Sequence, residues 1–179
     1  MKRARVARRY AKALFDAALE SKALELVEKD LEGVGQTLAA SEELRALVAS
    51  PVVSNARKKA AVGALFEKKV QPLTFGFLRL LVEKNREGSL GDVLEEFRDL
   101  LDAHRGIARG ELSSVVALSA EQRKVISDQL SRVTGKKVVL AEKIDPALLG
   151  GFMVRIGDMV YDASLHNQLK KLRQNLIES

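Results

Sequence analysis

The sequence contains no cysteine and no tryptophan, two histidines, three prolines and only 4% aromatic residues. Without cysteine, disulfides, thiolate nucleophiles and zinc–cysteine sites are excluded, and His104 and His166 are too few for a multi-histidine metal site. No long apolar run is present. The strongest candidate, Leu73 to Val82, is about half a bilayer span and is interrupted by Arg79, so no transmembrane helix is expected. Met1-Lys2-Arg3 resembles the charged start of a secretory signal. The following segment carries Arg5, Arg8, Arg9, Lys12 and Asp16 in place of an apolar stretch, so no export signal is expected.

Of the 179 residues, 46% are hydrophobic, enough for one large or two small soluble domains without covalent staples. The net charge of +6 raises the possibility of nucleic-acid binding. Its distribution argues otherwise: residues 1–105 hold 19 basic and 16 acidic side chains and the remainder 11 and 8, so each part carries +3. One local excess stands out. Lys2, Arg3, Arg5, Arg8, Arg9 and Lys12 precede the first acid, Asp16, which marks a solvated helix face or a docking site for an acidic or helical partner.

Through Arg105 the apolar period is helical. Val6, Tyr10, Leu14 and Ala17 form one stripe, and Leu24, Val27, Leu31, Val34 and Leu38 a second, with Gly33 and Gly35 each costing that helix about 1 kcal/mol. Ser41 caps a short helix ended by Pro51, and Ser54 caps another containing Ala60, Ala64 and Leu65. Pro72 suits a first turn, and Leu73 to Lys84 is apolar nearly all round, as in a helix with neighbours on several sides. Leu90, Val93, Leu94, Phe97, Leu100, Leu101 and His104 make the last stripe. A six-helix bundle over residues 1–105 is expected, followed by a hinge at 106–110 where two glycines bracket a polar segment.

Residues 111–179 follow a different pattern, that of a small α+β domain. Leu112 to Leu118 reads as a strand, Ser119 with Gln122 as a capping box, and Ile126, Leu130 and Val133 as the buried face of a helix ending at Gly135. Val138 to Leu140 is a second strand, broken by Asp145-Pro146. Phe152 to Ile156 alternates as a half-buried strand, and Gly157-Asp158 suits a type II′ turn returning Met159 to Tyr161. Asp162 and Ser164 offer cap oxygens to a final helix bearing Leu165, Leu169, Leu172 and Leu176. Gly150-Gly151 permits backbone closed to other residues.

No catalytic constellation emerges. Gly135-Lys136 lacks the earlier glycine of a phosphate loop, and the glycines around Phe152 flank a strand without the helix of a dinucleotide fingerprint. Asp158 and Asp162 are the residual candidates for carboxylate chemistry, and both lie near turns, where Asp is common. No catalytic residue, cofactor or metal is expected.

The order Ile144-Asp145, Leu148, Gly150-Gly151, Phe152-x-Val154-Arg155-x-Gly157, Asp162-x-Ser164 resembles the delta subunit family of bacterial F-type ATP synthases, related to the mitochondrial oligomycin sensitivity conferral protein. Arg9-Tyr10-Ala11-Lys12-Ala13-Leu14-Phe15 resembles that family's first helix, so the likeness spans the chain. The resemblance implies a non-catalytic peripheral-stalk subunit, present once per complex and monomeric alone, on the cytoplasmic face of the bacterial plasma membrane and touching the membrane only through the complex. It implies that the first and fifth helices hold the amino-terminal helix of an alpha subunit, in a groove assigned here to Val6, Arg9, Tyr10, Ala13, Phe77 and Leu80. It also implies that the carboxy-terminal domain meets the end of the b-subunit coiled coil. Gly150, Gly151, Gly157, Asp162 and Ser164 are then structural motif residues. The alternative is a basic helical nucleic-acid-binding or regulatory module.

Overall fold

A computed structural model describes residues 2–50, 52–167 and 169. Helix predominates, and the chain divides into two compact units, residues 1–101 and 102–179. In chain order the helices of the first part are α1 (Lys2–Glu20), α2 (Leu24–Ala40), α3 (Glu42–Ala49), α4 (Asn55–Phe66), α5 (Pro72–Glu83) and α6 (Leu90–His104). A 3₁₀ turn, Glu87–Ser89, precedes α6 where the sequence shows only a break between helices. The last three residues of α6 cluster with the second unit.

The core of the first unit is built on small residues along α1. Ala7, Ala11, Leu14, Phe15 and Ala18 are buried. The core stripe therefore lies one residue beyond the expected Val6–Tyr10–Leu14–Ala17 line, because alanines let neighbouring helices approach closely. On α2 the expected residues Val27, Leu31 and Val34 are buried, and the helix continues through Gly33 and Gly35. α4 buries Lys58, Val62 and Phe66. The expected Ala60–Ala64–Leu65 line instead leaves both alanines exposed, since the larger Phe66 and Val62 gain more from burial.

Local chemistry fixes where these helices begin. The Leu44 N–H donates to Ser41 Oγ at 3.1 Å and the Arg57 N–H to Ser54 Oγ at 3.5 Å, so both serines cap as expected. α5 has Pro72 in its first turn and no side-chain cap of its own. Instead Asp30 of α2 accepts from the Gln71 N–H at 2.7 Å and the Thr74 hydroxyl at 2.8 Å. This places a carboxylate at the positive end of α5 and holds the helix against α2. Thr74, Phe77, Leu78, Leu81 and Val82 of α5 are buried.

The second unit is one sheet with a helix packed on it. Its strands are β1 (Ile107–Ser114), β2 (Lys137–Ile144), β3 (Phe152–Ile156) and β4 (Met159–Asp162), in the order β2-β1-β3-β4. β1 and β2 are parallel and joined by α7 (Ala120–Thr134); the other pairs are antiparallel. The expected hinge at 106–110 is not loop beyond Gly106: Ile107 to Gly110 pair with Lys137 to Leu140 as the first half of β1. Gly110 belongs there because a Cβ would lie 2.7 Å from the Arg155 carbonyl oxygen. The strand also ends at Ser114, earlier than the expected Leu118.

α7 follows the sequence closely at its ends. Ser119 and Gln122 form the reciprocal capping box, and Gly135 closes the helix at φ +67°. Ile126 and Leu130 are buried, but Val133, in the last turn of the helix, is 69% exposed. Two α7 serines bind the backbone of the edge strand β2: Ser127 Oγ donates to Val138 O at 2.6 Å, and the Val138 N–H donates to Ser131 Oγ at 2.9 Å. Those backbone groups are thereby withheld from other strands.

The β3–β4 hairpin turns at Gly157 with φ +57°, while Asp158 keeps a negative φ, as a type II′ turn requires. After β4, Ser164 caps the next helix by accepting the Asn167 N–H at 3.2 Å. Asp162 instead accepts the Ser164 N–H at 2.9 Å and shapes the turn before the cap. Leu165 and Leu169 are exposed; Leu172 and Leu176 lie outside the described residues.

Candidate partner-binding groove

α1 and α5 leave an open channel of about 420 Å³ between their outward faces. Arg9, Tyr10, Ala13, Leu14 and Ala17 form one wall; Pro72, Leu73, Gly76, Phe77 and Leu80 form the other. Five of the six groove residues assigned from sequence are brought together here. Val6 is not among the lining residues, although it is half-buried on the same helix.

The channel follows from helical geometry. Positions 10, 13, 14 and 17 recur at spacings of three and four, so they share one face of α1; positions 73, 76, 77 and 80 do the same on α5. Tyr10 and Phe77 meet in an edge-to-face contact, ring centroids 6.5 Å apart at 64°, and join the walls at depth. Above them small residues keep the channel open. Ala13 is exposed, and a Cβ on Gly76 would meet nothing within 4 Å.

The lining is mainly aliphatic and aromatic, with Leu80 39% exposed and Arg9 on the rim. Such a surface cannot perform bond chemistry; it can hold an apolar stripe of about a helix's width. Periodicity located Tyr10, Phe77 and Leu80 but not Leu73 or Gly76. Glycine carries no apolar signal, and Leu73 lies in a helix whose apolar residues point to neighbours on several sides.

Elsewhere the candidate chemistry resolves into structure. The Asp162 carboxylate is engaged by the Ser164 N–H, which gives this enzymatic candidate a turn-forming role. Gly150 and Gly151 sit under the start of the last helix: a Cβ on Gly150 would lie 2.4 Å from Leu165 Cδ1, and one on Gly151 2.4 Å from the Ala163 carbonyl oxygen. The backbone on either side of Gly151 is tied there, with the Leu165 N–H donating to Gly150 O at 3.0 Å and the Ala163 N–H to Phe152 O at 3.0 Å. Among the described residues no group of three or more metal-ligating side chains converges, and no helix is long and apolar enough to cross a membrane.

Comparison with known proteins agrees over nearly the whole chain. Residues 6–176 match the family described as ATP synthase delta (OSCP) subunit. ATP synthase subunit delta of Chlorobium phaeovibrioides is 42% identical over 95% of this chain and 94% of its own length. That of Chlorobaculum tepidum is 37% identical over 99% and 98%. A chain of the cryo-EM structure of the Toxoplasma gondii mitochondrial ATP synthase hexamer superposes with a TM-score of 0.72 at 31% identity, covering 96% of this chain and 97% of that one. None of this supports the nucleic-acid-binding alternative. The chain therefore belongs to the ATP synthase delta (OSCP) subunit family, a non-catalytic component of the peripheral stalk.

Proposed function

We propose that the α1–α5 groove holds the amino-terminal helix of an alpha subunit, with the apolar stripe of that helix on Tyr10, Ala13, Phe77 and Leu80. The observation that carries this reading is the open apolar channel, bounded by two helices and kept open by small residues. On this reading the six α-helices of the first part are the family's six-helix bundle and form the alpha-binding domain, and residues 111–179 meet the carboxy-terminal end of the b-subunit coiled coil. The protein acts as a single copy at the cytoplasmic face of the bacterial plasma membrane, reaching the membrane only through the complex.

The task is mechanical. A stator must hold the catalytic head against rotor torque, so slow dissociation matters more than reactivity. A nanomolar complex corresponds to about 12 kcal/mol. Buried apolar side chains supply energies of that order, whereas exposed charge pairs contribute about 0–1 kcal/mol each. The charged flank of α1 then serves to steer the partner, and the groove to retain it.

Reconstitution tests the role directly. Membranes stripped of this subunit are expected to regain proton-driven ATP synthesis when the wild-type chain is added back, and not when Leu80→Asp is added. Full recovery with folded Leu80→Asp would contradict the groove as the retaining contact.

A further inference from the structure

The charges of α1 run against its own helix dipole. A helix is stabilised by acids in its first turn and bases in its last, and α1 has neither. Arg5, Arg9 and Lys12 stand exposed on its first half, Asp16 and Glu20 on its second. Such an order costs the helix stability, so its use is to be sought outside the helix.

These charges border the α1–α5 groove. Arg5, Arg9, Ala13, Asp16 and Glu20 recur at spacings of three and four, so they form one line along the helix, and Arg9 and Ala13 of that line belong to the channel wall. Among the described residues no ion pair or side-chain hydrogen bond engages Arg5, Arg9, Asp16 or Glu20. The facing wall carries no comparable gradient. Its exposed charges, Arg79 and Glu83, lie about one turn apart with opposite signs, and Glu83 already accepts from Lys59 Nζ at 2.8 Å. An apolar channel thus lies beside one rim that is cationic at one end and anionic at the other.

We infer that this rim sets the direction of the helix held in the groove. The inference rests on the groove reading above and adds the chemistry of the partner: acidic residues in the half over Arg5 and Arg9, basic residues in the half over Asp16 and Glu20. A helix that carries acids first and bases last, as its own dipole favours, then runs parallel to α1. Parallel alignment of the two helix dipoles opposes this weakly, since the half-charges at exposed helix ends are smaller than side-chain charges and are screened by salt. The apolar walls do not make the choice, because a leucine stripe offers them similar contacts in either direction. Like charges brought together in the reversed pose do make it.

The test uses the full-length, isotope-labelled chain and two designed helical peptides of the same composition and leucine stripe. One has glutamates in its first half and lysines in its second, the other the reverse, and each carries a nitroxide at its first residue. The glutamate-first peptide is expected to broaden the amide signals around Arg5 to Arg9, and the lysine-first peptide those around Asp16 to Glu20. Exposed pairs are individually weak, but several acting together, and repelling when reversed, should favour one direction about tenfold. Exchanging the signs on the rim, in the variant R5E/R9E/D16K/E20K, should turn each peptide round. If both peptides bind with the label at the same end, or each in an even mixture of directions, the rim does not orient the partner while the groove reading stands. If neither binds the folded chain, the groove reading itself fails and this inference with it.

Discussion

The rings of Tyr10 and Phe77 meet edge to face with centroids 6.5 Å apart, and this one contact both joins α1 to α5 and forms the deep part of the groove between them. Phe77 is only 8% exposed, so truncating it removes core packing together with groove wall. Leu80, 39% exposed on the same helix, is the cleaner probe. Leu80→Ala is expected to weaken binding of an alpha-subunit peptide by about 1–3 kcal/mol with thermal stability nearly unchanged. Arg9→Ala, on the rim, should cost about 0–1 kcal/mol and mainly alter the salt dependence of association. Calorimetry at two salt concentrations separates the two; equal losses would sink the apolar-groove account.

Gly76 supplies the complementary test. A side chain there enters open space, and replacing a mid-helix glycine stabilises a helix by about 0.5–1 kcal/mol. Gly76→Leu is therefore expected to raise the unfolding midpoint while filling the channel and abolishing peptide binding. A variant that is more stable and binds as before would show that the partner does not use this channel.

The double glycine and the hairpin glycine should respond differently to alanine. Gly151 combines φ +79° with a Cβ position 2.4 Å from the Ala163 carbonyl oxygen, whereas Gly157 has φ +57° and open space. Gly157→Ala should cost about 1–2 kcal/mol from backbone conformation alone. Gly151→Ala should cost clearly more, because the chain entering the last helix must also move. Denaturant unfolding of the two variants ranks them; a smaller loss for Gly151→Ala would refute the close approach.

One carboxyl offers a pH signature. The hydrogen bond from Lys59 Nζ at 2.8 Å, reinforced by its charge, holds the exposed Glu83 carboxyl below the usual carboxylate range. A group whose folded pKa is depressed stabilises the fold above its unfolded value and loses that contribution as pH falls through the folded value. NMR titration of Glu83 should therefore show a lowered midpoint that returns to the ordinary range in Lys59→Ala. An unchanged midpoint in the variant would remove Lys59 as the cause.

Signals carried by neighbouring residues were legible in the sequence. Ser119 with Gln122, Gly135, the Gly157 turn and the Ser164 cap each depend on a few consecutive positions, and all appear where the sequence puts them. Features set by distant chain were not. Gly110 reads locally as a breaker, but it lies within a central strand because β3 passes against it. The Lys58–Glu87 pair joins positions 29 residues apart, and the closely packed alanine face of α1 has no hydrophobic contrast to announce it. The groove was half visible for the same reason: its aromatic and leucine members have a helical period, while Gly76 matters through what it lacks.

The channel between α1 and α5 is tested most directly by calorimetric titration of the full-length chain with a peptide copying the amino terminus of the cognate alpha subunit. Tight one-to-one binding with a negative heat-capacity change, lost in Gly76→Leu, is the predicted result. Absence of binding to the folded chain, or binding that Gly76→Leu leaves intact, would contradict it.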